Sequence, residues 1–237
     1  PPLFSFSLTG PEMDHLKQLI FPAVRVELPE RESDFPYEKR VCRFKGLDHH
    51  QEAIARKFEG GHRIISGPSG SGKTLILVHK AAFLMRYNPD IKNILFLCYN
   101  ITLVNYLRRL LSMRKVPLGE SGVEVCHFFQ FCSKVLGEEV VYENEPAEYY
   151  DMVLEEALEK VEAWGKKYDA VLVDEGQDFS DQMFRLATSV LNPDTNNLTI
   201  ALDDNQNIYL RKAAWKDVGV DARGRVHKLN YVYRNTT

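Results

Sequence analysis

The sequence lacks several features that would narrow its class at once. No run of 18 apolar residues occurs, so no segment is long and apolar enough to cross a membrane as a helix. No internal repeat and no low-complexity tract is present, which excludes solenoids and fibrous arrays. One-sided charge is also missing. The 30 Lys and Arg face 33 Asp and Glu, a formal net charge of −3, which excludes a dedicated basic coat for nucleic acid but leaves room for a local basic strip. Cysteine is scarce: Cys42, Cys98, Cys126 and Cys132 contain no CxxC pair. Two of the four lie in strand-like apolar runs, which points to reduced core thiols and fits a cytoplasmic protein. "CHFFQFC" (126–132) offers Cys126, His127 and Cys132, but no fourth ligand stands at a suitable spacing, and structural zinc takes four. No secretory leader opens the chain, and its first residue is Pro1 rather than methionine, which reads as a trimmed end.

What is present is an ordinary globular composition with enough apolar material for a sizeable core. Residues 1–45 read as an N-terminal extension or linker, with helical spacing in "PEMDHLKQLI" (11–20) and a Pro- and charge-rich stretch after it. From residue 46 the pattern becomes regular. Helices are expected over 48–60 (capped by Asp48), 73–88, 101–115 and 148–169, and strands over 62–67, 93–99, 123–129, 170–175 and 198–204. Strands alternating with helices predict an α/β fold with a parallel, doubly wound sheet and helices on both faces, occupying 46–237. Within it, a small helical insertion is expected at about 138–168. Residues 138–159 hold nine acids and no Lys or Arg, which reads as a solvated helical face.

The stretch "GPSGSGKT" (67–74) follows the expected strand and opens a helix. Strand, GxxxxGK[ST], helix is the phosphate-binding P-loop pattern. Glycines Gly67, Gly70 and Gly72, with Pro68, Ser69 and Ser71 between them, let backbone N–H groups turn inward and hold a polyphosphate at a helix N-terminus. Lys73 then reaches the β- and γ-phosphates, and the Thr74 hydroxyl is placed for Mg²⁺. A second metal anchor and a means of activating water are still needed. "AVLVDEGQD" (170–178) ends a buried-type strand in Asp174 and Glu175. Asp174 fits the Mg²⁺ partner and Glu175 the general base that orients water toward the γ-phosphate. ATP and Mg²⁺ are the expected substrate and cofactor.

The order of further motifs resembles the superfamily 1 DNA helicases of the UvrD/Rep type, specifically the first, RecA-like motor domain. The resemblance is carried by "GLDHHQEAI" (46–54), "FLCYNITLVNYLR" (96–108), "VCHFFQF" (125–131), "DEGQD" (174–178), "ALDDNQNIY" (201–209) and "LNYVYRNT" (229–236). It implies roles residue by residue. Gln51 would read the adenine edge, and Tyr233 would stack on the base. Gln206 would contact the γ-phosphate, and Arg234 would touch it from the far end of the domain. Tyr99, Asn100, His127, Phe128, Tyr209 and Arg211 would lie on single-stranded DNA.

The sequence also departs from the family. Ala201-Leu202 stands where a glycine is common, and Arg211 where familiar members carry a base-stacking tryptophan. "CHFF" displaces the usual Thr-Phe-His order. The acidic insertion should repel phosphate where relatives meet duplex DNA.

The resemblance implies an ATP-dependent translocase or helicase on single-stranded or partly duplex DNA, moving 3′ to 5′. It also implies a second RecA-like domain, absent here, without which hydrolysis would be weak. The alternative is a nucleotide-dependent switch or DNA-repair interaction module that does not unwind. Arg108, Arg109, Arg114 and Lys115 read either as a DNA track or as a helix end favourable to its dipole.

Overall fold

A computed structural model describes residues 49–55, 60–141, 145–165, 167–203 and 212–230. The chain divides into two compact units, residues 1–54 and 55–237. In the first, helix α1 (His49–Ala55) begins at the end of the unit and runs to its boundary.

The second unit is built on a six-stranded sheet. Its elements in chain order are β1 (Gly61–Gly67), α2 (Lys73–Tyr87), β2 (Ile94–Cys98), α3 (Ile101–Met113), β3 (Val123–His127) and α4 (Phe128–Leu136), followed by α5 (Ala147–Trp164) and β4 (Ala170–Asp174). A short 3₁₀ turn (Gly176–Asp178), α6 (Asp181–Ser189), β5 (Asn197–Asp203), α7 (Lys212–Asp217) and β6 (Val226–Lys228) complete it. The strand order is β3-β2-β4-β5-β1-β6, and every pairing is parallel. Parallel neighbours need crossovers long enough for a helix, which is why the two periodicities alternate along the chain.

Strands β1 to β4 are buried along their whole length, as is all but the last residue of β5. This is the burial expected of a sheet covered on both faces. Leu95, Leu97, Val171, Val173, Leu198 and Ile200 join one core cluster with the apolar stripes of α4, α5 and α6. Against the sheet also pack α2, which touches β1, β4 and β5, and α3, which touches β2 and β3.

Local chemistry explains several boundaries. Asn100 caps α3: its Oδ1 accepts from Thr102 N at 2.9 Å. Ser180 caps α6 through Met183 N. The acidic helix α5 stops at Gly165, in the left-handed region at φ 70°, a conformation glycine adopts without Cβ strain.

One junction differs from the sequence expectation. The strand expected over 123–129 ends at His127, and Phe128 begins α4. Phe128, Phe131, Cys132 and Val135 are all buried, a spacing of three and four that belongs to a helix. The paired phenylalanines look like strand residues only when read two by two.

Candidate active site

Because the sheet is parallel, all its C-terminal strand ends lie along one edge. Register fixes which residues meet there: Gly67 stands opposite Asp203, and Cys98 stands opposite both His127 and Asp174. Strand β5 separates the glycine-rich loop of β1 from the acids of β4. This edge is where open α/β sheets hold ligands.

The loop between β1 and α2 is shaped by its glycines. Gly70 and Gly72 sit at φ 81° and 88°, and Gly72 precedes α2 with no side-chain cap. A Cβ on Gly67 would lie 2.8 Å from Leu229 Cβ and 2.9 Å from Ser71 Oγ, so only glycine fits. Ser69 is exposed, Pro68 and Gly70 are half-buried, and Ser71 is fully buried. Lys73 is buried, and its Nζ donates to the carbonyls of Gly67 at 2.8 Å and Pro68 at 3.1 Å. The ammonium therefore sits inside the curve of the loop, where a phosphate chain would be held by the surrounding N–H donors.

Asp174 ends β4 and is fully buried. Its Oδ1 accepts from the N–H of Glu175 at 3.1 Å, while its Oδ2 has no hydrogen-bond partner among the described residues. Burial pushes its carboxyl up to about 6; the Glu175 charge adds to this, and the Thr74 hydroxyl, the Glu175 N–H and the Lys73 charge oppose it. A fully buried carboxylate beside a threonine hydroxyl is a hard-oxygen pair suited to Mg²⁺. The residues present thus fit the metal that the sequence implies.

Glu175 follows in the left-handed region at φ 51° and ψ 43°. For a non-glycine residue this conformation costs on the order of 1–2 kcal/mol. The strain turns the chain out of the strand and leaves the carboxylate partly exposed beside the loop edge. Gly176 makes the turn possible, since a Cβ there would meet Ile200 Cγ2 at 2.8 Å and Leu202 Cδ2 at 2.9 Å.

A model of the AAA domain matches residues 50–212. The chain belongs to the AAA domain family. The P-loop edge just described is its candidate nucleotide site, and its all-parallel sheet is the α/β architecture with helices on both faces expected from the sequence. Three solved helicase structures resemble this AAA domain. The Pif1 helicase of Candida albicans is 13% identical over 79% of this chain and 40% of its own, at TM-score 0.49. The UvsW helicase of bacteriophage T4 is 11% identical over 95% and 69%, at 0.48. The Hef helicase domain of Pyrococcus furiosus is 17% identical over 76% and 37%, at 0.48. The chain thus spans less than half of the Pif1 and Hef chains. No curated protein gives a significant match.

The remaining candidates divide. Tyr99 ends the β2 edge, is 44% exposed and sits edge-on to Phe129 at 6.4 Å. Asn100 is exposed, but its side chain is engaged in capping α3. His127 is buried, which lowers its pKa. Phe128 has no exposed surface and packs edge-on against Phe129 and Phe179. The expectation that Phe128 lies on DNA is therefore corrected: its ring fills the core and offers no face to a base.

The basic end of α3 is corrected in part. Arg114 is buried, donating to Leu110 O at 3.1 Å and meeting His79 Nε2 at 2.7 Å, and Arg108 donates to Val125 O at 2.9 Å. Lys115 is exposed and follows the end of α3 that lies away from the P-loop edge.

Gln51 lies in α1, in the first unit. Gln206, Tyr209, Arg211, Tyr233 and Arg234 lie outside the described residues. The motif holding the last two starts at Leu229, which packs against Gly67 and donates its N–H to Ser66 O at 2.7 Å. Sequence reasoning assigned no role to Gln177, although it stands inside "DEGQD".

Proposed function

We propose that this AAA domain is the ATP-binding first motor domain of an ATP-dependent, UvrD/Rep-type translocase or helicase that moves 3′ to 5′ on single-stranded DNA. The observation that carries the proposal is the pairing of Lys73 and Thr74 with a fully buried Asp174, followed by a strained, partly exposed Glu175, at one sheet edge. In this reading the loop N–H groups and Lys73 bind and orient the phosphates, with Lys73 leaving its loop carbonyls for the substrate. Thr74 and Asp174 would hold Mg²⁺, which when bound neutralises phosphate charge. Glu175 accepts the proton of the attacking water and aims it at the γ-phosphate. Gln51 and Tyr233 hold the adenine, while Gln206 and Arg234 reach the γ-phosphate. A guanidinium there stabilises transition-state charge.

Tyr99, Tyr209 and Arg211 are the proposed nucleic-acid contacts, with Asn100 holding the start of α3 and the buried His127 in reach of a strand only if that edge opens. The resemblance assigns all the motifs named to the first of two RecA-like domains, and a second domain is proposed to complete the site. The test is ATP hydrolysis by the intact protein with and without single-stranded DNA, followed by strand displacement on a tailed duplex. Strong stimulation by DNA, with displacement from a 3′ tail, is the expected result. Hydrolysis indifferent to every nucleic acid would overturn the motor and leave the nucleotide switch.

A further inference from the structure

The Gln177 side chain joins the Glu175 carboxylate to the end of β5. Its Nε2 donates to Glu175 Oε2 at 2.6 Å, and its Oε1 accepts from the backbone N–H of Asp203 at 3.1 Å. Asp203 ends β5 and stands opposite Gly67, the first residue of the P-loop. The amide therefore spans from the end of β4 to the end of β5. Only a group that donates at one atom and accepts at the other can make both bonds in this arrangement.

The backbone holds this bridge in place. The Gly176–Asp178 turn is closed by Asp178 N donating to Glu175 O at 3.0 Å. Gly176 presses so closely on β5 that a Cβ would fall 3.2 Å from Ala201 O. Glu175 itself sits in strained left-handed backbone, and such conformations persist only where the surroundings impose them.

We infer that Gln177 is a positioning residue for the hydrolytic step: it holds the Glu175 carboxylate by one oxygen and leaves the other, Oε1, to take the proton of the water. This rests on the reading of Glu175 as the base. The two hydrogen bonds of Gln177 go to Glu175 and to the β5 backbone, so its effect on the reaction passes through Glu175. A carboxylate rotated away by about 1 Å loses on the order of a hundredfold in rate.

Gln177→Glu separates the two bonds. A carboxylate at 177 keeps the acceptor for Asp203 N–H and loses the donor to Glu175, so the strand tie remains. In the intact protein this variant is expected to lower kcat about 10- to 100-fold. Its Mg–ATP affinity should match the parent's, and its melting temperature should fall by only about 1–2 °C, the repulsion of two half-exposed carboxylates. Gln177→Met, which removes both bonds, should lose at least as much kcat. In a Glu175→Gln background neither change should lower the residual rate further, because the two residues act as a unit. An unchanged kcat in Gln177→Glu, with Glu175→Gln inactive, would overturn this inference and spare the base. Loss of kcat in proportion to loss of melting temperature would overturn it as well, making Gln177 a structural tie. Full turnover in Glu175→Gln would instead remove the base, and with it the reading on which the inference stands.

Discussion

Asp174 makes the ligand-free domain less stable at neutral pH, and this follows from its burial. Burial pushes its carboxyl up to about 6 in the folded protein, against about 4 for an ordinary aspartate. Between those two values the folded state retains a proton that the unfolded chain has released. Stability therefore falls as pH rises through the window from about 4 to about 6, and the loss is complete above it. Two pH units correspond to about 3 kcal/mol, a figure not reduced by solvent screening because Asp174 is fully buried. The Asp174→Asn variant keeps the shape and removes the charge. Without nucleotide and Mg²⁺ at pH 7.5 it should be more stable than the parent by up to about 3 kcal/mol. In a unit of this size that corresponds to roughly 6–12 °C in melting temperature. The gap should close below about pH 4, where both proteins are neutral at this position. Adding Mg–ATP should raise the parent's melting temperature by mass action and leave the variant's unchanged. The assay is thermal denaturation at pH 4, 5, 6 and 7.5, with and without ligand. A variant that is less stable than the parent at pH 7.5, or a gap that does not change with pH, would refute the reasoning.

Three further outcomes follow from single positions. Gly176→Ala should destabilise the domain by about 1–3 kcal/mol through overpacking against Ile200 and Leu202, read as a lower urea midpoint at constant m-value. Burial pushes the Cys98 and Cys132 thiols up to about 12, about a thousandfold less thiolate at pH 8 than an unperturbed thiol. Peptide mapping after brief iodoacetamide treatment should therefore find both unmodified until denaturant is added, and rapid native labelling would contradict the burial. Arg109→Glu should weaken single-strand binding and flatten its salt dependence if α3 borders the DNA path; unchanged affinity at all salt concentrations would take α3 out of that path.

The parts of the fold that were legible in the sequence are those where one physical demand dominates. Buried parallel strands must be apolar throughout, so "NILFLCY" and "AVLVDE" stood out, and the observed β2 and β4 lie inside them. The P-loop was legible because polyphosphate binding demands glycines, a lysine and a hydroxyl at fixed spacing. Helix α5 was legible from its 3.6-residue period, although its end at Gly165 rather than at residue 169 depends on a left-handed cap. Tyr168, read as helical, instead sits in the core with its hydroxyl donating to Glu124 at 2.6 Å.

Other features needed tertiary context. Strand β6 has only three residues and an exposed pattern, so no periodicity announces it. Arg114 carries the same charge as its neighbours, and only its pairing with His79 separates it from a surface cation. Asn100 suits a DNA contact and a helix cap equally well by residue type, and the backbone of α3 decides for the cap. Gln177 stood between two conspicuous acids, and its bridge to β5 depends on a strand end 26 positions further along the chain.

The central claim is that this strand edge binds Mg–ATP and cleaves it through Glu175. The most direct measurement is equilibrium Mg–ATP binding together with single-turnover hydrolysis in the parent, Lys73→Ala and Glu175→Gln. The account predicts that Lys73→Ala loses tight binding, while Glu175→Gln binds as the parent does and holds ATP uncleaved. Full turnover by Glu175→Gln, or parent-like affinity in Lys73→Ala, would contradict it.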